Sequence, residues 1–337
     1  KGNKIRNRRD KKFSAIVKKL LVIQKMSAKV KEAFTEALLP YFEIEFATSF
    51  DPEYLKEKIA GVTVCFGSFL PDVVIASASN LKVFQLAGTG VDRLNLQLLE
   101  KRGITICKTQ SHSKYVAEFA IAMLHSLVKK ITCFDRLLRT NDIRSLRSLP
   151  GIDFNSETLF GKYIGIIGYG HIGKSVHQLL QPYTTRFLIN SATTKPESEL
   201  LSGVFTGLDE LIQISDVVFI TCPLTPATKG MIGIDAFQSA SRKSIWINIS
   251  RGEIINFNAL VYALEHKLIG GFAIDNWYPE IPDAQKQLSL FDNIVMSPYR
   301  AININGEDPN ISDALDNLIR LGKDENLKHK VNYTKGY

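Results

Sequence analysis

The residues of this chain that most clearly indicate chemistry form a glycine-rich turn near its middle. An apolar run, Tyr163–Ile167, leads into three glycines at the spacing G-x-G-x-x-G, and apolar residues at helical spacing follow. A strand, a glycine turn and an amphipathic helix in this order are typical of a dinucleotide-binding site, although a purely structural turn is the alternative. The first helical turn would present backbone N–H groups to the phosphates. The predicted cofactor-binding residues of the turn are Gly168, Gly170, His171, Ile172 and Gly173.

The bulk composition indicates an ordinary globular protein. A length of 337 residues with 45% apolar residues predicts about two domains. The sequence shows neither an apolar run of roughly 20 residues, as a membrane span requires, nor a secretory signal, so we expect no membrane contact. Its four cysteines lack CxxC or metal-ligand spacing. This usage is typical of a reducing compartment and predicts a cytoplasmic protein without a metal site.

The net charge of +8 does not by itself indicate nucleic acid binding, because the positive excess is confined to one end of the chain. Residues 1–19 hold nine of the 42 basic residues and one of the 34 acidic residues, so the remainder is balanced. Such a run is most often a solvated extension. We therefore expect a basic N-terminal extension over residues 1–18 and do not expect nucleic acid as a partner.

Strand and helix patterns alternate along most of the chain, which predicts parallel sheets covered by helices on both faces. One series lies ahead of the glycine turn and the second begins at it. The predicted strands are 20–24, 42–47, 62–66, 82–87, 105–108, 163–167, 186–189, 217–220, 244–248, 271–274 and 294–297. The predicted helices are 28–39, 51–59, 91–101, 172–180, 208–214 and 258–265, with an amphipathic helix near 311–319. A helix at 114–131 is apolar almost all round, which predicts burial between domains or subunits.

Six sequence blocks together resemble the D-isomer-specific 2-hydroxyacid dehydrogenases, from about residue 19 to the end of the chain. They are 86–92 (LAGTGVD), 116–118 (VAE), 160–168 (FGKYIGIIG), 222–225 (CPLT), 247–252 (INISRG) and 271–275 (GFAID). The resemblance implies an α/β fold of two doubly wound parallel-sheet domains with the active site in the cleft between them. A flavodoxin-like substrate (lid) domain would comprise residues 19–110 and 304–337. A Rossmann dinucleotide-binding domain would comprise 111–303, and the buried helix would form a homodimer interface.

The resemblance also implies three catalytic residues. Arg251 follows a predicted strand at its carboxyl end, where open α/β sheets bind ligands. It would hold the carboxylate and keto oxygen of a substrate through its planar fork, with a strand-capping surface arginine as the alternative. Glu280 matches the family's glutamate, which orients a catalytic histidine. That histidine is replaced here, since Ser297 and Pro298 are followed by Tyr299.

The replacement of histidine changes the expected chemistry. Histidine titrates near pH 7, whereas tyrosine titrates roughly three pH units higher. Tyr299 could therefore donate a proton during reduction, but it would be a poor base for oxidation. The alternatives are that Tyr299 is a relic or shapes the substrate pocket. His112 could also reach the site, although a solvated loop histidine is the interpretation we prefer for it.

The cofactor predictions concern the adenosine and nicotinamide ends of the dinucleotide. An NAD site needs an acid roughly 20 residues past the glycine turn, but the chain has Ser191, Thr193 and Lys195 there. These residues favour NADP slightly over NAD, with Asn190 or Ser191 as a weaker NAD partner in the alternative. The resemblance places Cys222 and Pro223 at the adenine pocket. It places Asp275 at the nicotinamide carboxamide, or else at a strand end as a cap.

The substrate predictions follow from the same resemblance. Backbone N–H groups of Thr89 and Gly90 would bind the substrate carboxylate, and Ser68 would line the pocket. Together these residues predict an NAD(P)H-dependent oxidoreductase that reduces a small 2-keto acid to the D-2-hydroxy acid. The alternative is a dinucleotide-binding regulatory or scaffold protein whose catalysis is lost or altered, because Tyr299 replaces the proton donor.

Overall fold

The computed structural model describes residues 18–142, 154–183, 185–193, 200–302 and 309–337. These residues form two compact units. The first contains the described residues up to Ala87 together with Leu94–Lys108 and Ala314–Val331. The second contains Gly88–Arg93, the described residues from Thr109 to Asp313, and Asn332–Tyr337. Each unit is built around one parallel sheet, which confirms the predicted α/β class.

The first unit is a five-stranded parallel sheet in the order β2-β1-β3-β4-β5. Its strands are β1 (Lys18–Val22), β2 (Phe42–Phe46), β3 (Val64–Gly67), β4 (Val83–Leu86) and β5 (Thr105–Cys107). The helices between them are α1 (Ala28–Leu38), α2 (Pro52–Ile59), α3 (Asp72–Ser77) and α4 (Leu96–Lys101). This strand order is the flavodoxin-like doubly wound arrangement.

Side-chain caps fix where these helices begin. The Ser27 side chain accepts a hydrogen bond from Val30 N at the start of α1, and the Asp51 side chain accepts two at the start of α2. Asn95 accepts from Leu98 N in the same way. The helix predicted at 91–101 therefore begins only at Leu96, because the cap sets its first turn.

The second unit is a seven-stranded parallel sheet in the order β12-β11-β10-β9-β6-β7-β8. Its strands are β6 (Tyr163–Ile167), β7 (Arg186–Asn190), β8 (Val204–Phe205), β9 (Val217–Ile220), β10 (Ile245–Asn248), β11 (Gly271–Ile274) and β12 (Ile294–Met296). Its helices are α5 (Ser113–Val128), α6 (Ile131–Thr140), α7 (His171–Leu180), α8 (Leu208–Ile214), α9 (Ile234–Ser239), α10 (Phe257–Glu265) and α11 (Ala284–Leu288). Helix α12 (Asn310–Gly322) begins in this unit and continues into the first. The strand order is that of a Rossmann sheet, extended by one strand.

Apolar residues bury both faces of the second sheet. Every residue of β9 and β11 is buried, as expected for parallel strands covered by helices on both sides. One core surrounds the fully buried Trp246, and the other contains the buried face of α5 packed with α7. Among the described residues, no helix is long and apolar enough to cross a membrane.

The structure corrects several sequence predictions about where segments lie. The helix predicted at 114–131 ends at Val128, because Lys130 adopts a left-handed φ of 54° and starts α6. Lys18, predicted as part of the basic extension, is the first residue of β1, and residues 1–17 lie outside the described residues. The last segment, Asn332–Tyr337, belongs to the second unit and not to the substrate domain. The predicted boundary at 303 and 304 lies outside the described residues.

A buried histidine links the glycine turn to the core of the second unit. His177 lies on the inner face of α7 with no exposed surface. Its Nδ1 lies 2.8 Å from Tyr169 Oη, and its Nε2 lies 2.9 Å from Ser202 Oγ. Burial lowers the pKa of His177 to about 4 from its ordinary value of 6.5. The folded protein therefore holds this ring neutral down to acidic pH.

We expect His177 to make folding stability depend on pH between about pH 6.5 and about pH 4. In this window the unfolded chain binds a proton that the folded chain does not, so stability falls as the pH falls. The loss at pH 5 should be about 2 kcal/mol, measured as the free energy of unfolding relative to pH 7. His177→Gln should flatten this dependence, whereas His266→Gln, at an exposed histidine, should keep it. A His177→Gln protein with the wild-type slope would contradict this role.

Candidate active site

The glycine turn after β6 is shaped by a close approach between two strands. Gly168 has a φ of 97°, which side chains with a Cβ rarely adopt. A Cβ there would lie 2.5 Å from Cys222 N and 2.6 Å from Cys222 Cα, at the end of β9. Thr221 Oγ1 also donates to Gly168 O at 2.5 Å. Only glycine can occupy this position without moving the neighbouring backbone.

The start of α7 has the features that a pyrophosphate site requires. A Cβ at Gly173 would collide with Gly168 O, so the third glycine allows the helix to pack on the turn. A Cβ at Gly170 would meet nothing within 4 Å, and no side chain caps the helix there. The first helical turn therefore faces open space with its backbone N–H groups, beside exposed His171 and half-buried Ile172. These residues fit a dinucleotide phosphate.

The loop after β7 lies beside this turn, because β6 and β7 pair with Ile167 opposite Asn190. Gly168 N donates to Asn190 O at 2.8 Å. Asn190 Nδ2 donates to Thr206 O, and Ser191 Oγ donates to the carbonyl of Thr193. The residues predicted as ribose partners thus lie next to the glycine turn, with Asn190 bonded to Thr206 and Ser191 bonded to Thr193. Lys195, the remaining predicted partner, lies outside the described residues.

The segment after β9 forms the other side of the turn. Cys222 is buried, which raises the pKa of its thiol to about 12 and keeps it protonated. The Cys222 carbonyl accepts a hydrogen bond from Ser250 Oγ. Pro223 is exposed, and its carbonyl accepts from Thr228 Oγ1 at 2.7 Å. The exposed surface of this segment therefore consists of its backbone and the ring of Pro223, while the side chain of Cys222 packs into the core.

Arg251 follows β10 and is held by an aspartate that sequence reasoning missed. Its Nε lies 3.1 Å from Asp92 Oδ2, and its Nη2 lies 3.0 Å from Asp92 Oδ1. Nη1 donates to the Ser250 carbonyl at 2.9 Å. The side chain of Asp92 is 15% exposed and that of Arg251 is 32% exposed. This bidentate contact fixes the plane of the guanidinium.

The contacts of Arg251 leave one edge of its guanidinium for a ligand. Arginine has five N–H donors, and the described residues accept from three of them. The remaining two N–H groups, one on each Nη, form the end-on fork that suits a carboxylate or two neighbouring oxygens. Gly90 lies against this fork, since a Cβ there would collide with Nη2. The structure therefore brings predicted residues Arg251 and Gly90 together.

Thr89 belongs to a network around the start of α5. Its Oγ1 donates to Thr109 O at 2.7 Å and lies 2.9 Å from His112 Nε2. The other ring nitrogen, His112 Nδ1, lies 2.5 Å from Asn310 Oδ1, which also accepts from Thr109 Oγ1. His112 is buried rather than the solvated loop histidine that we predicted. With both nitrogens engaged, it positions the Thr89 loop.

Asp275 organises the turn that carries Tyr299. Its side chain is almost completely buried at the end of β11. Its two carboxylate oxygens accept from the backbone N–H groups of Arg300, at 2.8 Å, and Ala301, at 3.3 Å. Tyr299 N donates to the Asp275 carbonyl at 3.1 Å. The geometry is thus that of a strand-end cap, and contact with a nicotinamide carboxamide stays a prediction.

Tyr299 has a strained backbone conformation, and one hydrogen bond orients its hydroxyl. Its φ of 56° is left-handed, a conformation that costs a residue with a Cβ roughly 1–2 kcal/mol. Trp277 N donates to Tyr299 Oη at 3.1 Å, and Trp277 Nε1 donates to Ser297 O at 2.9 Å. The phenol accepts from the backbone and keeps its own hydrogen for donation. Strain of this kind is typical of functional positions.

The structure does not place Glu280 beside Tyr299. The Glu280 side chain is 74% exposed, and its Oε1 lies 3.8 Å from Lys229 Nζ. Within the described part of the chain, no hydrogen bond joins Glu280 to Tyr299. The structure therefore does not bring Glu280 to the hydroxyl of Tyr299, which accepts a hydrogen bond from Trp277 N instead. Asp92 and the Trp277 amide are the partners that sequence reasoning missed. Asp92 ends the block 86–92, but nothing in that block indicates its pairing with Arg251.

Ser68 belongs to the first unit. It follows β3, and its Oγ donates to Gln24 Oε1 at 2.6 Å. Both residues line a cavity of about 420 Å³ at the carboxyl ends of β1 and β3, with Lys25, Phe50 and Phe69. Ligands of open α/β sheets bind at this edge.

The fold and the glycine turn define a class of dinucleotide-binding α/β proteins, and comparison with known proteins identifies the family. Residues 121–301 match the family model described as D-isomer specific 2-hydroxyacid dehydrogenase, NAD binding domain. The matched residues make up more than half of the chain. The chain belongs to the D-isomer specific 2-hydroxyacid dehydrogenases, an oxidoreductase family.

Individual relatives agree with this assignment. The chain is 30% identical over 269 residues to the glyoxylate reductase/hydroxypyruvate reductase of Homo sapiens, covering 76% of this chain and 80% of that protein. It is 28% identical over 284 residues to the glyoxylate reductase of Thermococcus onnurineus, covering 81% and 84%. Its fold matches the NADPH-dependent glyoxylate/hydroxypyruvate reductase of Sinorhizobium meliloti, solved with NADP and malonate. That match has a TM-score of 0.78 at 23% identity and covers 94% of this chain and 97% of that one.

We expect Asp92→Asn to raise the KM for a 2-keto acid about tenfold with a smaller change in kcat, because asparagine keeps the shape but loses the charge that fixes Arg251. The affinity for the dinucleotide should not change. Steady-state kinetics and calorimetric binding measure the two quantities. Asp283→Asn is the control, since its carboxylate pairs with exposed Lys286 elsewhere. An unchanged KM, or an equal loss of dinucleotide affinity, would exclude Asp92 as a positioning residue.

Proposed function

We propose that this protein is an NAD(P)H-dependent oxidoreductase that reduces a small 2-keto acid to the D-2-hydroxy acid. The observation that carries the proposal is the end-on fork of Arg251, which Asp92 and Ser250 leave available. A 2-keto acid presents a carboxylate oxygen and a keto oxygen side by side, which is the pattern that two parallel N–H donors recognise. Membership of a 2-hydroxyacid dehydrogenase family supports the same substrate class.

The second unit would hold the dinucleotide at the glycine turn. The first turn of α7 would bind the pyrophosphate, and the residues after β7 would contact the adenosine ribose. The absence of a carboxylate at residues 190–195 favours NADP slightly over NAD. The bound reduced nicotinamide would supply the hydride.

The chain's own residues would polarise and orient the keto acid. The Arg251 fork would hold one carboxylate oxygen and the keto oxygen, which lowers the cost of the negative charge that develops there. Backbone N–H groups of Thr89 and Gly90 would bind the carboxylate, and the His112 network would hold their loop in place. Ser68 would line the substrate pocket, as the family resemblance implies.

Tyr299 would donate the proton that the reduced keto oxygen needs. Its hydroxyl accepts a hydrogen bond from Trp277 N, so its hydrogen is directed to another acceptor. Glu280 is exposed and would influence Tyr299 only through its negative charge, without contacting the hydroxyl. A neutral phenol is a proton donor and not a base near pH 7, so we propose that reduction is the direction this site performs.

We further propose the finer features that the resemblance implies. The first unit would be the substrate domain, and the second unit, with Asn332–Tyr337, would be the dinucleotide-binding domain. The protein would form a homodimer through α5, as the family resemblance implies; Phe119 and Ile121 on this helix are half-buried. All four cysteines are free, which supports a reducing compartment such as the cytoplasm.

We expect Tyr299→Phe to lower kcat for 2-keto acid reduction by roughly 100-fold or more, because it removes the proton donor. The dinucleotide affinity should change less than twofold. The experiment follows oxidation of NADPH and NADH by absorbance with a panel of 2-keto acids, alongside Tyr262→Phe as a control at a partly exposed tyrosine.

Full activity of Tyr299→Phe would contradict the proton-donor role. A wild-type protein that binds the dinucleotide but reduces no 2-keto acid would favour the regulatory or scaffold alternative. In that case, activity gained by Tyr299→His would identify a decayed enzyme.

A further inference from the structure

The loops that carry Arg251 and Tyr299 follow two strands of the second sheet that are not neighbours. Strand β11 pairs with β10 on one side, where Ile274 lies opposite Asn248. It pairs with β12 on the other side, where Ile274 lies opposite Met296. Arg251 follows β10 and Tyr299 follows β12. The strand β11 therefore separates the two groups.

Two successive residues of the loop after β11 bond to the loops on either side. Asn276 Nδ2 donates to the carbonyl of Ile249 at 3.0 Å, in the loop that carries Arg251. Trp277 N donates to Tyr299 Oη at 3.1 Å. A single planar peptide joins Asn276 to Trp277. The loop after β11 is therefore a spacer with one hydrogen bond to each neighbour.

The loop after β10 is closed by its own hydrogen bonds. Asn248 Nδ2 donates to Arg251 O at 2.8 Å, and Asn248 Oδ1 accepts from Ser250 N at 3.1 Å. Ile249 lies inside this turn and is buried. A Cβ at Gly252 would lie 2.9 Å from backbone atoms of the loop after β11, so the two loops pack directly on each other. A hydrogen bond to the Ile249 carbonyl therefore holds the whole turn.

We propose that Asn276 is a positioning residue that sets the spacing between the Arg251 fork and the Tyr299 hydroxyl. The proposal rests on the proposed function, because it assigns a role within the same reduction. Asp92 orients the guanidinium and the Trp277 amide orients the phenol, but neither contact joins the two groups. Both side chains act on one keto oxygen, so they must reach it at one fixed separation. The hydrogen bond of Asn276 maintains that separation.

The test follows hydride transfer in a single turnover, with enzyme in excess over NADPH and with saturating glyoxylate or pyruvate. The rate constant reports the geometry of the bound reactants, whereas the amplitude reports the fraction of active enzyme. Asn276→Leu keeps the approximate size of the side chain and removes the donor. It should lower the rate constant about tenfold at full amplitude, because small misplacements of reacting groups slow transfer strongly. The calorimetric Kd for NADPH should stay within about twofold of the wild-type value.

A matched control has the same kind of hydrogen bond at the opposite edge of the sheet. Asn293 Nδ2 donates to Gly270 O at 3.2 Å, at the amino ends of β12 and β11. Asn293→Leu should therefore leave the rate constant unchanged. Gly252→Ala changes the same spacing independently, because its methyl group would push the two loops apart. This variant should lower the rate constant as Asn276→Leu does.

A crystal structure of Asn276→Leu supplies a readout besides activity. The turn 248–251 should be displaced from Trp277, while Arg251 keeps its bidentate contact with Asp92. Where Asn276→Leu does not fold, Asn276→Asp decides in the same way, since it keeps the shape of the side chain and replaces the donor by an oxygen.

Three results would overturn the proposal. They are an unchanged rate constant in the Asn276 variant, an equal fall in Asn293→Leu, and a lower amplitude at the wild-type rate constant. The last result would show that Asn276 only stabilises the fold. Failure of the proposed function is distinct from all three, because the wild-type protein would then bind NADPH and transfer no hydride, and Asn276 would have no reaction to position.

Discussion

The close approach of Gly168 to the Cys222 backbone is the contact on which the site depends. It joins the ends of β6 and β9, and hydrogen bonds extend the connection across the sheet. The Cys222 carbonyl accepts from Ser250 Oγ, and the Ser250 carbonyl accepts from Arg251. The turn proposed to hold phosphates and the arginine proposed to hold the substrate are therefore parts of one bonded edge. A side chain at position 168 would disturb both.

The second constraint is that Arg251 and Tyr299, the two groups proposed to act on the substrate, are each oriented by a neighbouring group with no proposed chemical role. Asp92 fixes the guanidinium plane of Arg251, and the Trp277 amide orients the hydroxyl of Tyr299. Asp275 bonds the turn that carries the tyrosine and so stabilises its left-handed backbone. Positioning of this kind reduces the reorganisation required during reaction. In the proposed mechanism, the replacement of histidine by tyrosine would limit the direction of the chemistry and not the geometry of binding.

The sequence predicted features that depend on local patterns. The glycine spacing identified the turn, and the alternating apolar runs identified eleven of the twelve strands found among the described residues, because burial on both faces leaves continuous apolar segments. Short elements such as β8, α3 and α9 were missed, since they carry too few periodic residues. The blocks that resemble the family located Arg251 and the position of Tyr299. They also matched Glu280, which the structure places beside exposed Lys229 and not beside Tyr299.

Contacts between distant parts of the chain could not be predicted in this way. Asp92 and Arg251 are 159 residues apart, and Thr193 and Tyr337 are 144 residues apart. Neither pair has a local pattern, because each forms only when the chain folds. The return of Asn332–Tyr337 to the second unit is likewise a property of the tertiary structure.

The central claim is that hydride passes from the nicotinamide to the keto carbon of a 2-keto acid on the face that yields the D-product. It is tested most directly with NADPH or NADH deuterated at both C4 positions and a 2-keto acid such as glyoxylate or pyruvate. Chiral separation and mass spectrometry should find deuterium on C2 of the hydroxy acid, and with pyruvate the labelled product should be D-lactate. Absence of labelled hydroxy acid, or label in the L-enantiomer, would contradict the account.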